Sequence, residues 1–501
     1  MVFLQQLYWF LFSLPISKGI FGYNNTTQAC VSLLSTLPGQ VFFPGSKEYE
    51  NSMSSYAYIG TRLRPTCLSC PKTTDDVAAI IQNLGKFDSV AFAVRSGGHN
   101  TNKGFADIND GITIDLSTIN AVELKRSAGI VAVGSGARWQ NVYNALDPYS
   151  LSVQGGRNGD VGVGGFLTGG GIGFFSPERG WACDSIANVE IVLSTGEIIN
   201  ANLTNHADLF AALKGGQNNF GIVTRFDLKI FTQGPLWGGV VLYSNSTDKE
   251  LLDTFTAFKD PIKFDPYAML TFGFVYDTAH RTFAADIAMY HSHPESVNGS
   301  TLESFAKIQP QLYNSLRTGS PGSFAGEKEN LSPVVKSFYM DWATITFAMS
   351  RSTLAHIHTA FKRTSVALAD KFPSANLTTA CSIQSVPVAA PVYNPNSLGF
   401  NATSHPEKNL VNYGIAFQYE DPIATEGLRQ AIKELTAELE QIAKADGVDD
   451  EHLYLNYAGS WQNVFAGYGR ENLKNMRRVA KYYDKSEMFQ KQVKGGFKLY
   501  D

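Results

Sequence analysis

The sequence predicts an α+β protein of two domains that meet near residue 234, and three observations carry that prediction. Short strand-like and helix-like segments alternate from residue 62 to 233. Beyond Gly234-Pro235 the segments lengthen, and residues 269–292, MLTFGFVYDTAHRTFAADIAMYHS, read as one long antiparallel hairpin. Residues 155–173, GGRNGDVGVGGFLTGGGIG, hold ten glycines in nineteen positions. At 501 residues the chain exceeds what one simple core supports.

Taken in order, residues 1–17, MVFLQQLYWFLFSLPIS, are uncharged and mostly apolar. The run is shorter than the ~20 residues a spanning helix needs, so residues 1–18 are expected to be a signal peptide, although a basic start is missing. Eight N-x-[ST] acceptors, at Asn24, Asn25, Asn202, Asn245, Asn298, Asn330, Asn376 and Asn401, agree with a secretory route. Five cysteines leave at least one unpaired; on spacing alone Cys30 pairs with either Cys67 or Cys70. A helix is expected over 73–86, with Thr73 as N-cap and Val77, Ile80, Ile81 and Leu84 on one face. Strands follow at 89–94, 112–117 and 130–136, then a short helix at WQNVYNAL. NVEIVLSTGEIINA (188–201) reads as a hairpin, HADLFAALKGG as a helix ending on Gly215, and NFGIVTRFDLKIF as a returning strand. In 424–446, Leu428, Ile432, Leu435, Leu439 and Ile442 mark one helix face ending at Gly447, better suited to a sheet than to a coiled-coil seam. EHLYLNY (451–457) reads as a strand, and a helix is expected near 471–482.

The chemistry concentrates in glycine loops. RSGGHN (95–100) directly follows a strand, which delivers Gly97, Gly98 and His99 into a cleft; Arg95 adds charge. Glycine lets the backbone approach a ligand closely, and successive amides can cradle an anion. A third glycine turn, GGQNNFGIVT (215–224), serves equally well as a helix cap or a ligand contact. Together these loops point to a large phosphorylated cofactor. The run is no Rossmann fingerprint, because no G-x-G-x-x-G opens a helix with an acid some 20 residues on, and there is no P-loop. G-x-S-x-G is absent, arguing against an α/β-hydrolase. Cys67 and Cys70 form a lone CxxC, and His291 with His293 lack further ligands nearby. No metal site is expected, and the two histidines read as solvated residues on one strand face. A net charge of −4 gives no footprint for nucleic acid.

In order, RLRPTC (62–67), RSGGHN, IDLS, VGSGARW (133–139), the 155–173 run, GGQNNFGIV, YLNY (454–457) and GGFKL (495–499) resemble one family. They are similar to the FAD-linked oxidases of the vanillyl-alcohol oxidase superfamily, in the fungal berberine-bridge-enzyme-like branch, from about Cys30 to Leu499. The resemblance implies a PCMH-type FAD-binding domain of two α/β subdomains over 62–233. It also implies a substrate domain over 234–447, with helices flanking its antiparallel sheet, and a segment 448–501 returning to the FAD domain. It pairs Cys30 with Cys67, which stands at the family's P-x-C position.

By the same resemblance His99 bonds covalently to the FAD 8α-methyl, and a neutral imidazole is a suitable nucleophile. Many relatives add a second bond from a cysteine three residues before the valine of V-G-x-G-G. Here that place is Asn158, so a single link is expected. Val161 stands where a small gatekeeper admits oxygen. Ser96, Gly97, Gly98 and Arg95 are expected against the cofactor, with Gly162, Gly164, Gly165, Gly169, Gly170, Gly221, Val223 and Asn456. The strand expected to bear the proton-removing carboxylate falls near Gly414, where Asn412 and Gln418 offer none. Tyr454 is therefore the expected base, which requires its phenol to be tuned down from about 10. The implied function is a secreted or vesicular oxidase that moves a hydride from an alcohol, phenol or secondary-metabolite intermediate to FAD, with oxygen as acceptor. Its partners would be a small substrate and oxygen, not nucleic acid or an integral membrane contact. The rival readings are an oligosaccharide oxidase and a flavin-bearing binding protein with little turnover. Substrate-domain side chains vary freely on such scaffolds, so the sequence names no substrate.

Overall fold

The computed structural model describes residues 24–331, 337–387, 395–400 and 409–500. The expected signal peptide and Asn401, together with the Asn330 side chain, lie outside the described residues. Among the described residues no helix is long and apolar enough to cross a membrane, and no cluster of ligating side chains could hold a metal.

Two sheets form the N-terminal part. The first has four strands, Val41–Phe42, Cys67–Ser69, Ile112–Asp115 and Phe92–Arg95, with its last three parallel. Helix Thr74–Leu84 covers it; Thr73 and Asp76 cap each other reciprocally, and Val77, Ile80, Ile81 and Leu84 are buried beneath. The unit begins before residue 62. Strand Val41–Phe42 pairs with Cys67–Ser69, and a Cys30–Cys67 disulfide fastens helix Asn25–Thr36 beside them. Cys70, Cys183 and Cys381 are free. The second sheet is antiparallel, in the order Val122–Lys125, Ile130–Gly134, Ile222–Lys229, Ile186–Val192, Ile198–Asn202. Its last two strands are the expected hairpin, turning through Gly196 at φ +83°.

The second part is a nine-stranded antiparallel sheet. Its centre runs Leu236–Ser244, Thr282–His291, Ala268–Asp277, Thr378–Ser385, Leu410–Tyr419 and Tyr339–Ala348. One face packs under helices Asp248–Phe258, Arg351–Lys371 and Thr425–Ala445, burying Leu428, Ile432, Leu435 and Leu439. The last helix stops before Gly447, at φ +68°. The opposite face turns toward the glycine loops.

Two local expectations need correction. EHLYLNY is not a strand: sheet pairing stops at Asp449–Asp450, and Leu455–Tyr457 form a 3₁₀ turn as the chain crosses back. His291 is not solvated. It ends its strand buried, with Nε2 3.1 Å from Asp265, whereas His293 lies beyond the strand and is exposed. The tail then contacts the first part. Val493 bridges Phe92, Asn218 donates to the Gly495 carbonyl, and Asn219 to that of Phe497.

Candidate active site

A cavity of about 570 Å³ separates the glycine loops from the broad sheet. On the loop side, RSGGHN and the 155–165 segment touch backbone to backbone. A Cβ on Gly97 would stand 2.5 Å from the Gly162 nitrogen, and one on Gly162 2.3 Å from the Gly97 nitrogen. Only glycine permits that approach. Arg138 ties the pair together. It donates to the Gly97 carbonyl at 3.1 Å and forms an ion pair with Asp160 at 2.7 Å. Ser96 donates to the Ser135 carbonyl at 2.6 Å and accepts from the Gly164 amide at 3.2 Å.

Ser96, Gly97, Gly98, His99, Gly162, Gly164, Gly165, Gly221 and Val223 all line the cavity. A Cβ on Gly165 would meet nothing within 4 Å, so this backbone borders open space. Burial lowers the His99 pKa below the ordinary histidine range; Asp160 opposes the shift and Arg138 adds to it. The ring is therefore neutral near pH 7, and its buried Nε2 has no hydrogen-bond partner among the described residues. Tyr58 meets it edge-on at 5.6 Å between ring centres. An unpaired, neutral ring nitrogen facing a glycine-lined cavity fits the chemistry of flavin attachment.

Asn158 and Val161 also line the cavity, and Asn158 accepts from the Asp160 amide at 2.9 Å. Of the free cysteines, Cys381 alone is among the lining residues. Cys183 is buried beside Asp184, and Cys381 packs in the core behind the sheet while accepting from the Phe274 amide.

Three expected cofactor residues stand elsewhere. Arg95 turns away from the cavity, its guanidinium 3.2 Å from Asp115 and bonded to Ser52 and Ser55, with Tyr56 beneath it. It locks helix Lys47–Ser54 to the sheet because it ends a strand parallel to the one bearing Asp115. Gly169 and Gly170 pack behind the cavity wall, where a Cβ would strike Asn456 at 2.1 Å or Trp181 at 3.0 Å. They make room for neighbours, not for a ligand.

The sheet side is built in rows. Register places Asp286, Gly273, Ser382, Gly414 and Thr344 in one row across five strands. The small residues at its centre make a shallow floor. Asp286 closes one end, and Trp342 with Tyr457 crowds Gly414 at the other. Asp286 is the carboxylate among the lining residues, and Arg157 is the guanidinium. Sequence reading singled out neither, because it sought the carboxylate on the strand at Gly414 and not three strands further across.

Tyr454 and Asn456 line the cavity too. The Tyr454 hydroxyl accepts from the Ile172 amide at 3.1 Å and from Asn456 at 3.3 Å. Asn456 also donates to the Phe166 carbonyl, holding the turn against the glycine run. Burial raises the Tyr454 pKa and outweighs both donors. The phenol is neutral, with its own proton left to donate: the reverse of the tuning a resting base requires.

A family model described as an FAD binding domain matches residues 65–202. The chain is 34% identical to an FAD-dependent monooxygenase, sdcF, of Emericella nidulans, over 94% of this chain and 98% of that protein. It is 33% identical to the FAD-dependent monooxygenase drtC of Aspergillus calidoustus, over 95% and 91%. Among solved structures, 6-hydroxy-D-nicotine oxidase from Arthrobacter nicotinovorans superposes with a TM-score of 0.76 at 19% identity, covering 90% of this chain and 96% of that one. A variant of berberine bridge enzyme gives 0.71 at 15%, covering 92% and 99%. The fold and site thus define an FAD-dependent oxidoreductase. The chain belongs to the family of FAD-dependent enzymes that includes sdcF and drtC, and its fold is that of 6-hydroxy-D-nicotine oxidase and berberine bridge enzyme.

Proposed function

We propose that the protein is a secreted FAD-linked oxidase of a small alcohol, phenol or secondary-metabolite intermediate, with the flavin bonded once, to His99. The observation that carries this reading is the orphaned, neutral His99 nitrogen facing a cavity of glycine backbone. The chemistry FAD supplies when bound is hydride acceptance and electron delivery to oxygen, which yields hydrogen peroxide. The loop amides and Ser96 hold the cofactor. The Tyr454 hydroxyl donates to the substrate oxygen and fixes its direction, and Asp286 takes the proton released as the hydride leaves. Support for secretion comes from the disulfide and from exposed sequons at Asn25, Asn245, Asn298 and Asn376.

Acid-precipitated protein should stay yellow, and a flavin-bearing peptide should contain His99; a colourless pellet rejects the covalent bond. Anaerobic bleaching of the flavin by aromatic alcohols, followed by peroxide on admitting air, is the expected activity. The names of the curated relatives favour a second reading, a monooxygenase. Oxygen-18 from labelled gas appearing in the product, in place of peroxide, would establish it.

A further inference from the structure

Among the described residues, Arg157 is a buried cation, 9% exposed, with no ion-pair partner. Its Nη2 donates to Gln384 Oε1 at 2.6 Å, while the buried Nη1 has no partner. The contrast with Arg95, still more buried but neutralised by Asp115, is direct.

A relay fixes the guanidinium's position. Gln384 Nε2 donates to Asn412 Oδ1 at 3.3 Å, and Asn412 Nδ2 to Thr344 Oγ1 at 2.6 Å. Thr344 Oγ1 in turn donates to the Tyr413 carbonyl at 3.2 Å. Each side chain uses its donor in one direction, so the Gln384 oxygen is left facing Arg157. Gln384, Asn412 and Thr344 are wholly buried. The charge facing the cavity is therefore held by the substrate sheet, not by the cofactor loops alone. Its other close neighbours, Tyr143, Tyr290 and Tyr454, are phenols that burial keeps neutral.

Burying a guanidinium without a counter-charge is strongly unfavourable unless a ligand supplies one. We propose that Arg157 is a specificity-determining residue that binds an anionic oxygen of the substrate, a carboxylate or an ionised phenol, through its free Nη1. Gln384 and Asn412 act as positioning residues. Gln384 lies two residues along its strand from Ser382, in the row beside the one that Asp286 closes. Asp286 stands two strands further across, so at the usual strand spacing and rise the two positions are about 12 Å apart. The substrate class is thus an organic acid or phenol longer than a single ring, anchored at one end and oxidised at the other.

The proposal rests on the cavity being the flavin and substrate site, and its test separates the two. Holoenzyme is titrated with benzoate, with 4-nitrophenolate and with neutral benzamide, following the flavin spectrum. At least one anion should bind tenfold or more tighter than benzamide; which one identifies the oxygen type. Arg157→Met should abolish that preference, and Arg157→Lys should restore part of it, with the spectrum of the ligand-free enzyme unchanged. Equal binding of all three probes by the wild type overturns the proposal and needs no variant. A shifted ligand-free spectrum in Arg157→Met also overturns it, because the charge then serves the flavin. If the protein carries no flavin, the cofactor reading fails, and calorimetry with the same probes still judges Arg157 by the same tenfold criterion.

Discussion

The two walls of the cavity are made in opposite ways. The loop wall is nearly continuous chain: residues from the stretches 96–101 and 156–168 supply most of it, pressed together where Gly97 meets Gly162. The sheet wall gathers residues from separate strands, so that Gly273, Asp286 and Ser382 line the cavity from one row that register continues to positions 414 and 344. A wall of backbone tolerates almost no change. A wall of side chains in register can be altered one residue at a time, which suits a cofactor held constant and a substrate that varies.

That contrast can be tested, and the largest effect belongs to the sheet wall. Asp286→Asn should slow anaerobic flavin reduction about 10²–10⁴-fold, the usual worth of a general base, with flavin content intact. A variant within threefold of wild type would move proton removal off this wall. Next comes the staple beneath the loops. Replacing Cys30 with serine opens a bridge spanning 37 residues, for a stability loss of about 3–4 kcal/mol by loop entropy, read by denaturant unfolding. Within the loop wall, Gly162→Ala forces its Cβ into the Gly97 backbone and should lose about 1–3 kcal/mol. Gly165→Ala meets nothing and should keep its melting temperature while altering flavin content. Equal melting of both variants would show that the loops are not pressed together.

The smallest effect is at the seam. Tyr454→Phe should cost about tenfold, as loss of a hydrogen bond to the substrate oxygen does. The pH profile settles its role. Burial raises the Tyr454 pKa above its ordinary value near 10, so a phenolate base would make the rate climb tenfold per pH unit through neutrality. A carboxylate base is already ionised there, and the rate of flavin reduction should stay level between about pH 7 and 9.

What could be read from the sequence follows the same division. RSGGHN, the 155–173 run and YLNY are contiguous, so the loop wall and its histidine were legible before any fold was known. Even there a strand's last residue hid its direction: Arg95 precedes the glycines, yet it points to Asp115. Asp286 and the relay from Arg157 to Thr344 were not legible, because antiparallel register, not spacing, makes neighbours of them. Tyr454 lines the cavity, but its protonation depends on burial that no motif encodes.

Arg138 bears on the order of events in the life of the protein. It joins the Gly97 carbonyl to Asp160 with protein atoms alone, and the contact of Gly97 with Gly162 likewise involves no ligand. The berth proposed for FAD is therefore held together by contacts within the protein. Little further ordering remains to be done on docking, so docking should be rapid and tight. The bond proposed at His99 would then be a late maturation step, in which the finished polypeptide acts on its own prosthetic group.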